Sequence, residues 1–178
     1  MDDALRVTVL IGSTREGRAG GRVGRWFTAA AARRAGLDLD PLDLADADLP
    51  AAYPAEPTPA LNRFRERIAR AEAYVVVTPE YNRSFPGPLK QAIDFAYDEW
   101  HAKPVGFVSY GYRARGRHAV DQLREVFLEL HTVTMRDAVA LDLLAPAFDD
   151  DHVTALLDEL TWWGLALRDA RRVRPYCA

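Results

Sequence analysis

The chain has 178 residues, of which 49% are apolar, enough to fill the core of one domain. Its formal net charge is only -3, so composition gives no reason to expect a nucleic acid or an anionic membrane surface as a partner. A single cysteine, Cys177, excludes an intramolecular disulfide and argues against a cysteine metal cluster. No apolar run approaches the roughly 18 residues of a membrane span, and Met1 leads almost directly into an apolar strand without a signal-like segment. We therefore expect one domain over residues 1–178 in a soluble, cytoplasmic protein.

Apolar patterning predicts strands and helices that alternate along the whole chain. Short, unbroken or alternating apolar runs predict five strands, at about Arg6–Ile11, Leu37–Leu42, Tyr74–Thr78, Val105–Tyr110 and Ala138–Leu143. Apolar residues at helical spacing predict five helices, at about Val23–Ala35, Leu61–Ala71, Leu89–Trp100, Ala119–Leu130 and Asp151–Arg171. Five β-α repeats favour an α/β fold with a doubly wound, five-stranded parallel sheet and helices on both faces. At this length we expect the flavodoxin-like strand order 2-1-3-4-5.

Three loops rich in glycine, hydroxyl, amide and charged side chains follow the first, third and fourth predicted strands. They are Gly12–Arg22, Pro79–Gly87 and Ser109–Arg117. In a sheet of this order, ligands bind outside the carboxyl ends of the strands, where the order reverses between the first and third. All three loops fall on that edge, which predicts a ligand site there.

The loop after the first predicted strand has the chemistry of a phosphate site. Gly12-Ser13-Thr14-Arg15-Glu16-Gly17-Arg18 offers two hydroxyls, two guanidiniums and the free N–H groups of a helix N-terminus. A nucleotide-triphosphate loop does not fit, because Arg18 stands where that motif has lysine and Ala19 where it has serine or threonine. An ordinary polar loop with solvated arginines is the other interpretation.

The loop after the third predicted strand is stiff. Within Thr78–Asp94, Pro79, Pro86 and Gly87 precede a helix that we expect to start at Pro88. Each proline fixes φ and removes a donor, and a stiff loop loses less conformational entropy when it holds a ligand.

Three motifs together resemble the NADPH-dependent FMN reductase family, which has the flavodoxin-like fold and includes flavin, quinone, azo-dye and chromate reductases. The motifs are Gly12-Ser13-Thr14-Arg15-x-Gly17-Arg18, then Thr78-Pro79-Glu80-Tyr81-Asn82 followed by Pro86-Gly87-x-Leu89-Lys90-x-Ala92-Ile93-Asp94, and Ser109-Tyr110-Gly111 with Ala119-Val120-x-Gln122-Leu123-Arg124. The resemblance runs from about Arg6 to Leu130, in register with the predicted elements.

The resemblance implies a role for each matching segment. The turn from Ser13 to Val23 would hold the FMN phosphate, Pro79–Asn82 would lie along the isoalloxazine, and Ser109 and Gly111 would approach its pyrimidine end. The full set of implied FMN-binding residues is Gly12, Ser13, Thr14, Arg15, Arg18, Arg22, Val23, Pro79, Glu80, Tyr81, Asn82, Ser109, Tyr110 and Gly111. No side chain is expected to be catalytic, because the flavin carries the chemistry. The implied cofactors are FMN and NADPH or NADH, with a small-molecule electron acceptor and a homodimer or dimer of dimers.

The chain departs from the family pattern after the fourth strand. The family usually has two pairs of glycines there, whereas Tyr112 and Arg115 each replace one glycine of a pair. Added bulk and charge at these positions predict contact with the substrate or nicotinamide nucleotide, and harmless exposure to solvent is the alternative.

Single residues in the second motif have competing interpretations. Glu80 is more typical of a structural hydrogen-bond acceptor than of a catalytic acid, and Asn82 is expected to fix loop shape. Tyr81 either stacks near the flavin or lies at the rim. Trp162 lies off the inward stripe of the last helix and belongs either to the core or to a dimer face.

The sequence therefore predicts an FMN-dependent NAD(P)H oxidoreductase that moves a hydride from NAD(P)H to FMN N5 and then electrons to a flavin, quinone or other small acceptor. One alternative is a non-catalytic electron carrier similar to flavodoxin. Another is a specialised biosynthetic or sensory flavoprotein in which Tyr112 and Arg115 alter the cleft.

Overall fold

The computed structural model describes residues 4–145, 148 and 151–177. Its helices alternate with parallel strands as the periodicity predicts. The strands are β1 (Leu5–Ile11), β2 (Leu37–Asp43), β3 (Ala73–Pro79), β4 (Pro104–Gly111), β5 (Val133–Thr134) and β6 (Val139–Asp142). The helices are α1 (Gly20–Ala31), α2 (Pro59–Arg70), α3 (Gly87–Asp94), α4 (Arg117–Glu129) and α5 (Asp151–Val173), with a short 3-10 helix at Asp98–Trp100. The sheet order is β2-β1-β3-β4-β5, which confirms the flavodoxin-like arrangement.

The fifth position of the sheet is filled by two short strands rather than one. Val133–Thr134 pairs with the start of β4, and Val139–Asp142 pairs with its end, at Val108 to Gly111. The predicted strand Ala138–Leu143 corresponds to β6, whereas β5 was not predicted. Two residues are too few for an alternating pattern to stand out from a loop.

Side chains alternate between two cores, one on each face of the sheet. On β3, Val75 and Val77 face the core formed with α1 and α5, and Tyr74 and Val76 face the core formed with α2, α3 and α4. This alternation follows from the two-residue period of a strand. Nearly every β3 side chain is buried because helices cover both faces.

The predicted helix Leu89–Trp100 is too long, since α3 ends at Asp94 and a separate 3-10 turn follows. Trp100 explains the break. Its side chain is fully buried, and its indole N–H donates to the carbonyls of Ile93 and Ala96, at 3.1 and 3.0 Å. An aromatic ring that folds back under the helix end satisfies carbonyls that a continuing helix would have used.

The first helix is also shorter than predicted, ending at Ala31 instead of about Ala35. Arg33 and Arg34 continue the chain with tighter turn bonds to the carbonyls of Ala30 and Ala31. Gly36, at φ +84, then directs the chain into β2. None of the helices in the described ranges has the length and apolar character needed to cross a lipid bilayer.

Candidate functional site

A cleft of about 670 Å³ opens at the carboxyl edge of the sheet, a size typical of small-molecule sites. The loops after β1, β3 and β4 all contribute to its walls, as the sequence predicts. Lining residues are Arg15, Gly17, Arg18, Ala19, Pro79, Glu80, Tyr81, Arg83, Tyr110, Gly111, Tyr112, Arg113, Ala114, Arg115, Gly116, His118 and Leu143.

The loop after β1 begins with two buried residues and then emerges at the surface. Gly12 serves packing, because a Cβ there would lie 2.7 Å from a Leu89 methyl carbon. Ser13 is fully buried, and its hydroxyl lies 3.0 Å from that of Tyr81, which ties the first loop to the second. Thr14 and Arg15 are exposed.

The two arginines of this loop have different surroundings. Arg18 donates from Nη2 to Asp43 Oδ2 at 2.9 Å, so its charge is already paired at the end of β2. Arg15 lines the cleft, and its guanidinium has no hydrogen-bond or ion-pair partner among the described residues. Arg15 is therefore the guanidinium of this loop that is available to an anion.

Two residues predicted for the phosphate turn lie away from the cleft. Arg22 holds its guanidinium 5.0 Å above the ring of Phe148. Val23 is fully buried in the core, and its N–H donates to the Ala19 carbonyl at 3.0 Å. Neither side chain joins the others, because Val23 packs in the core and Arg22 faces the Phe148 ring.

The hydroxyl of Tyr110 lies at the N-terminus of α1. Only 3% of this residue is exposed, and its hydroxyl has no partner in hydrogen-bonding geometry among the described residues, although it lies near the Ser13 hydroxyl. A Cβ at Gly20, the first residue of α1, would lie 2.9 Å from that oxygen. Burial raises the pKa of Tyr110 and outweighs the lowering effect of the nearby Ser13 hydroxyl, so the side chain stays a neutral O–H donor. Buried hydroxyls are normally satisfied, so this one indicates a missing partner beside the helix N-terminus.

The loop after β3 closes in a tight two-residue turn. Tyr81 and Ser84 exchange backbone hydrogen bonds of 2.8 and 3.0 Å, while Asn82 and Arg83 between them have φ values of +51° and +68°. Two successive left-handed residues form a type I′ turn, a geometry that asparagine tolerates well. Asn82 thus fixes the loop shape, as predicted.

Gln122 of α4 holds this turn from outside. Its amide nitrogen donates to the Arg83 carbonyl at 2.8 Å, and its amide oxygen accepts from the Ser84 hydroxyl at 2.7 Å. Glu80 adds a second link, since its Oε2 accepts from the His118 backbone N–H at 3.2 Å in the first turn of α4. Carboxylates are favoured at this positive end of a helix, so Glu80 has the structural role expected of it.

The loop after β4 depends on close backbone packing. Ser109 donates to the Arg115 carbonyl at 2.8 Å and is buried, so its side chain shapes the loop instead of lining the cleft. Gly116 has φ +83, and a Cβ there would lie 2.6 Å from Ser109 Cβ. Gly111 lies in the cleft wall beside Gly116 N. Tyr112 is 64% exposed and Arg115 half-exposed, both lining the cleft.

Sequence reasoning missed several cleft residues. Arg83, Arg113 and His118 line the cleft, and Gln122 supports it from behind. Arg83 and Arg113 lie within loops that the sequence assigned to the site, so their positive charge was a signal that could have identified them. His118 and Gln122 lie on α4, outside those loops.

Comparison with known proteins agrees with the geometry. The family model described as NADPH-dependent FMN reductase matches residues 5–145. The chain is 35% identical over 166 residues to an NAD(P)H-dependent FMN reductase of a Nectria species, covering 86% of this chain and 81% of the relative. It is 36% identical over 162 residues to a quinone reductase of Pseudomonas putida, covering 84% of each. Among solved structures, the flavoenzyme NAD(P)H:(acceptor) oxidoreductase FerB of Paracoccus denitrificans superposes with a TM-score of 0.72 and 26% identity, over 93% of this chain and 98% of FerB.

Proposed function

The chain belongs to the NADPH-dependent FMN reductase family, and from this premise we propose that the cleft at the carboxyl edge of its sheet is the FMN site of an NAD(P)H-dependent oxidoreductase. Family membership makes the protein an oxidoreductase that uses FMN and NAD(P)H. The roles of individual residues, the acceptor and the assembly state are part of the proposal.

The phosphate end of the proposed site rests on one observation, the buried and unpartnered hydroxyl of Tyr110 beside the first turn of α1. The free backbone N–H groups of that turn attract an anion, the exposed Arg15 supplies a positive charge, and the Tyr110 hydroxyl supplies a further donor. Together these donors fit a phosphate monoester.

The ring end of the proposed site is formed by the loops after β3 and β4. Pro79, Tyr81 and Gly111 line the cleft with little charge, and the Gln122 and Glu80 contacts hold the walls in place. When bound, FMN supplies the redox chemistry, taking a hydride from NAD(P)H and passing electrons to a second acceptor. The protein's part is to bind and orient both partners, and Glu80 is occupied by its bond to α4.

For the second substrate we propose a quinone, a flavin or a similar small acceptor, because the Pseudomonas putida relative is named a quinone reductase. The electron-carrier alternative finds less support, since these relatives are named reductases.

A homodimer in the cytoplasm is part of the same proposal. Trp162 of α5 is 64% exposed, and its ring meets the edge of Trp163 at 5.0 Å. Tyr97 is also exposed, and exposed aromatic side chains of this kind are typical of protein interfaces. Analytical ultracentrifugation would measure the assembly state, and a monomer at micromolar concentration would contradict the dimer.

The decisive experiment is an absorbance titration of purified protein with FMN, followed by anaerobic addition of NADPH and of NADH. We expect one FMN per chain and bleaching of its absorbance by at least one nucleotide. Stopped-flow mixing then separates an enzyme from a carrier, because a carrier is not reduced directly at a useful rate. Protein that takes up no FMN would contradict the proposal.

A further inference from the structure

The mouth of the cleft carries more positive charge than the proposed FMN site uses. Among the described residues, five arginines line it, at positions 15, 18, 83, 113 and 115, and one carboxylate, Glu80. Arg18 is paired with Asp43, Arg15 belongs to the proposed phosphate end, and Glu80 is bonded to α4. Arg83, Arg113 and Arg115 are left over.

These three guanidiniums are weakly engaged by the protein itself. The side chains of Arg83 and Arg113 are exposed and have no hydrogen bond or ion pair within the described residues. Arg115 Nη2 lies 3.9 Å from Asp142 Oδ2, a loose contact at a half-exposed side chain. Three positive side chains in one cleft repel each other, and an anion bound between them would offset that repulsion.

Two of the three arginines occupy backbone positions that favour glycine. Arg83 has φ +68 in the turn after β3, and Arg115 has φ +53 in the loop after β4. Any residue with a Cβ atom is strained in this region, and strain of this kind concentrates at ligand sites. Folding alone would be served better by glycine at both positions, so the guanidiniums themselves require an explanation.

We propose that Arg83, Arg113 and Arg115, named here the arginine rim, bind the 2′-phosphate of NADPH and thereby make the protein prefer NADPH over NADH. The inference rests on the proposed function. NADPH and NADH differ only in that phosphate monoester, and guanidinium groups match a phosphate through paired N–H donors. The rim lies on the loops after β3 and β4, separate from the donors at α1 that the FMN phosphate would use.

The test compares kcat/KM for NADPH and NADH, with an uncharged benzoquinone as acceptor, in Arg83→Gly, Arg113→Ala and Arg115→Gly. Each variant should lower the NADPH-to-NADH ratio about 10-fold, and the triple variant should bring it close to one. Calorimetric titration of FMN-loaded protein with NADP⁺ and NAD⁺ measures affinity without turnover, and the variants should lose the preference for NADP⁺ to the same extent. The NADPH preference should also weaken as ionic strength rises.

Matched controls separate recognition from misfolding. Arg136→Ala removes a side chain that is 90% exposed and lies outside the cleft, and it should leave the ratio unchanged. Glycine at positions 83 and 115 relieves the left-handed backbone, so the melting temperatures of those variants should equal or exceed the wild-type value.

Several results would overturn the proposal. An unchanged ratio, or an equal loss for both nucleotides, would mean that the rim does not distinguish the 2′-phosphate. Slower reoxidation by a sulfonated naphthoquinone at an unchanged ratio would assign the rim to an anionic acceptor instead. Failure to bind FMN, or to be reduced by either nucleotide, would overturn the proposed function; FMN uptake with equal use of both nucleotides would overturn the rim alone.

Discussion

Two buried tyrosines on adjacent strands show how the two ends of the sheet differ. Tyr74, at the amino end of β3, has its hydroxyl 2.8 Å from the Ile68 carbonyl, 2.9 Å from the Glu99 carbonyl and 3.1 Å from Lys103 Nζ. Tyr110, at the carboxyl end of β4, is almost as buried and has no partner among the described residues. Buried hydroxyls normally form hydrogen bonds. A hydroxyl in the structural part of the protein forms them with other residues of the chain, whereas a hydroxyl in a binding site can form them with the ligand.

Lys103 also lies at the amino end of the sheet, where buried polar groups bond to other residues of the chain. Its ammonium group also donates to the Ile68 and Ala69 carbonyls, at 3.1 and 2.9 Å, in the last turn of α2. A cation at the C-terminus of a helix satisfies carbonyls that have no partner in the helix and interacts favourably with its dipole. The amino end therefore stabilises the fold, and the carboxyl end is open for binding.

The largest expected effects come from removing one hydroxyl at each end. Tyr74→Phe removes a buried hydroxyl that bonds to the Ile68 and Glu99 carbonyls and to Lys103, so it should lower the free energy of unfolding by about 1–3 kcal/mol and leave FMN affinity unchanged. Tyr110→Phe removes a hydroxyl that has no partner in hydrogen-bonding geometry among the described residues, so the unfolding free energy should change little while FMN affinity falls about 10-fold. Urea denaturation and FMN titration measure the two quantities. The distinction between the ends fails if Tyr110→Phe destabilises the protein as much as Tyr74→Phe and binds FMN normally.

A second prediction concerns pH and the amino end. Burial, helped by the nearby Arg171 and opposed by Glu99, lowers the pKa of Lys103 to about 7. Between about pH 7 and pH 10 the unfolded chain therefore holds a proton that the native state has released. Stability should rise with pH over that window, by at most about 1.4 kcal/mol per pH unit, because one proton is involved.

Urea denaturation at several pH values from 7 to 10 checks this dependence. Lys103→Met keeps the length of the side chain and removes the titrating group, so its unfolding free energy should vary less with pH. A wild-type protein whose stability falls steadily across the same range would contradict the depressed pKa.

The smallest expected effect is at the turn after β3. Gln122→Ala removes the bonds to Arg83 and Ser84 from an exposed position, so it should cost no more than about 1 kcal/mol of stability and loosen the cleft wall. Gln122→Glu keeps the acceptor for Ser84 and loses the donor to Arg83. Hydrogen exchange at residues 81–84 should therefore accelerate most in the alanine variant. Unchanged exchange in both variants would show that the turn needs no outside support.

Several features of the fold and the site could be predicted because they depend on residues that are close together in the sequence. Periodicity located every strand except β5, the β-α alternation and chain length predicted the sheet order, and the loops after β1, β3 and β4 do meet at one edge. Asn82 has the structural role expected of it because asparagine, with its short polar side chain, tolerates the left-handed backbone of a tight turn. Arg15 lies in the cleft as predicted, whereas Arg22 and Val23 do not.

Other features depended on contacts between distant parts of the chain. The end of α3 is set by the Trp100 indole folding back on it, and β5 exists only because two residues lie beside the start of β4. The spacing of apolar residues along the chain does not reveal contacts between distant segments, so neither feature was predicted.

For this protein the sequence alone was enough for the family, the sheet order and the loops that form the site, since motif and spacing are properties of short segments. Tertiary structure decided which polar groups are already used. It pairs the Arg18 guanidinium with Asp43 and leaves the Arg83 guanidinium without a partner among the described residues. It also buries the Tyr110 hydroxyl against Gly20, where the lack of a side chain makes room for it. Whether a donor is occupied depends on residues far away in the chain, and that is why only the folded structure separates the binding groups from the structural ones.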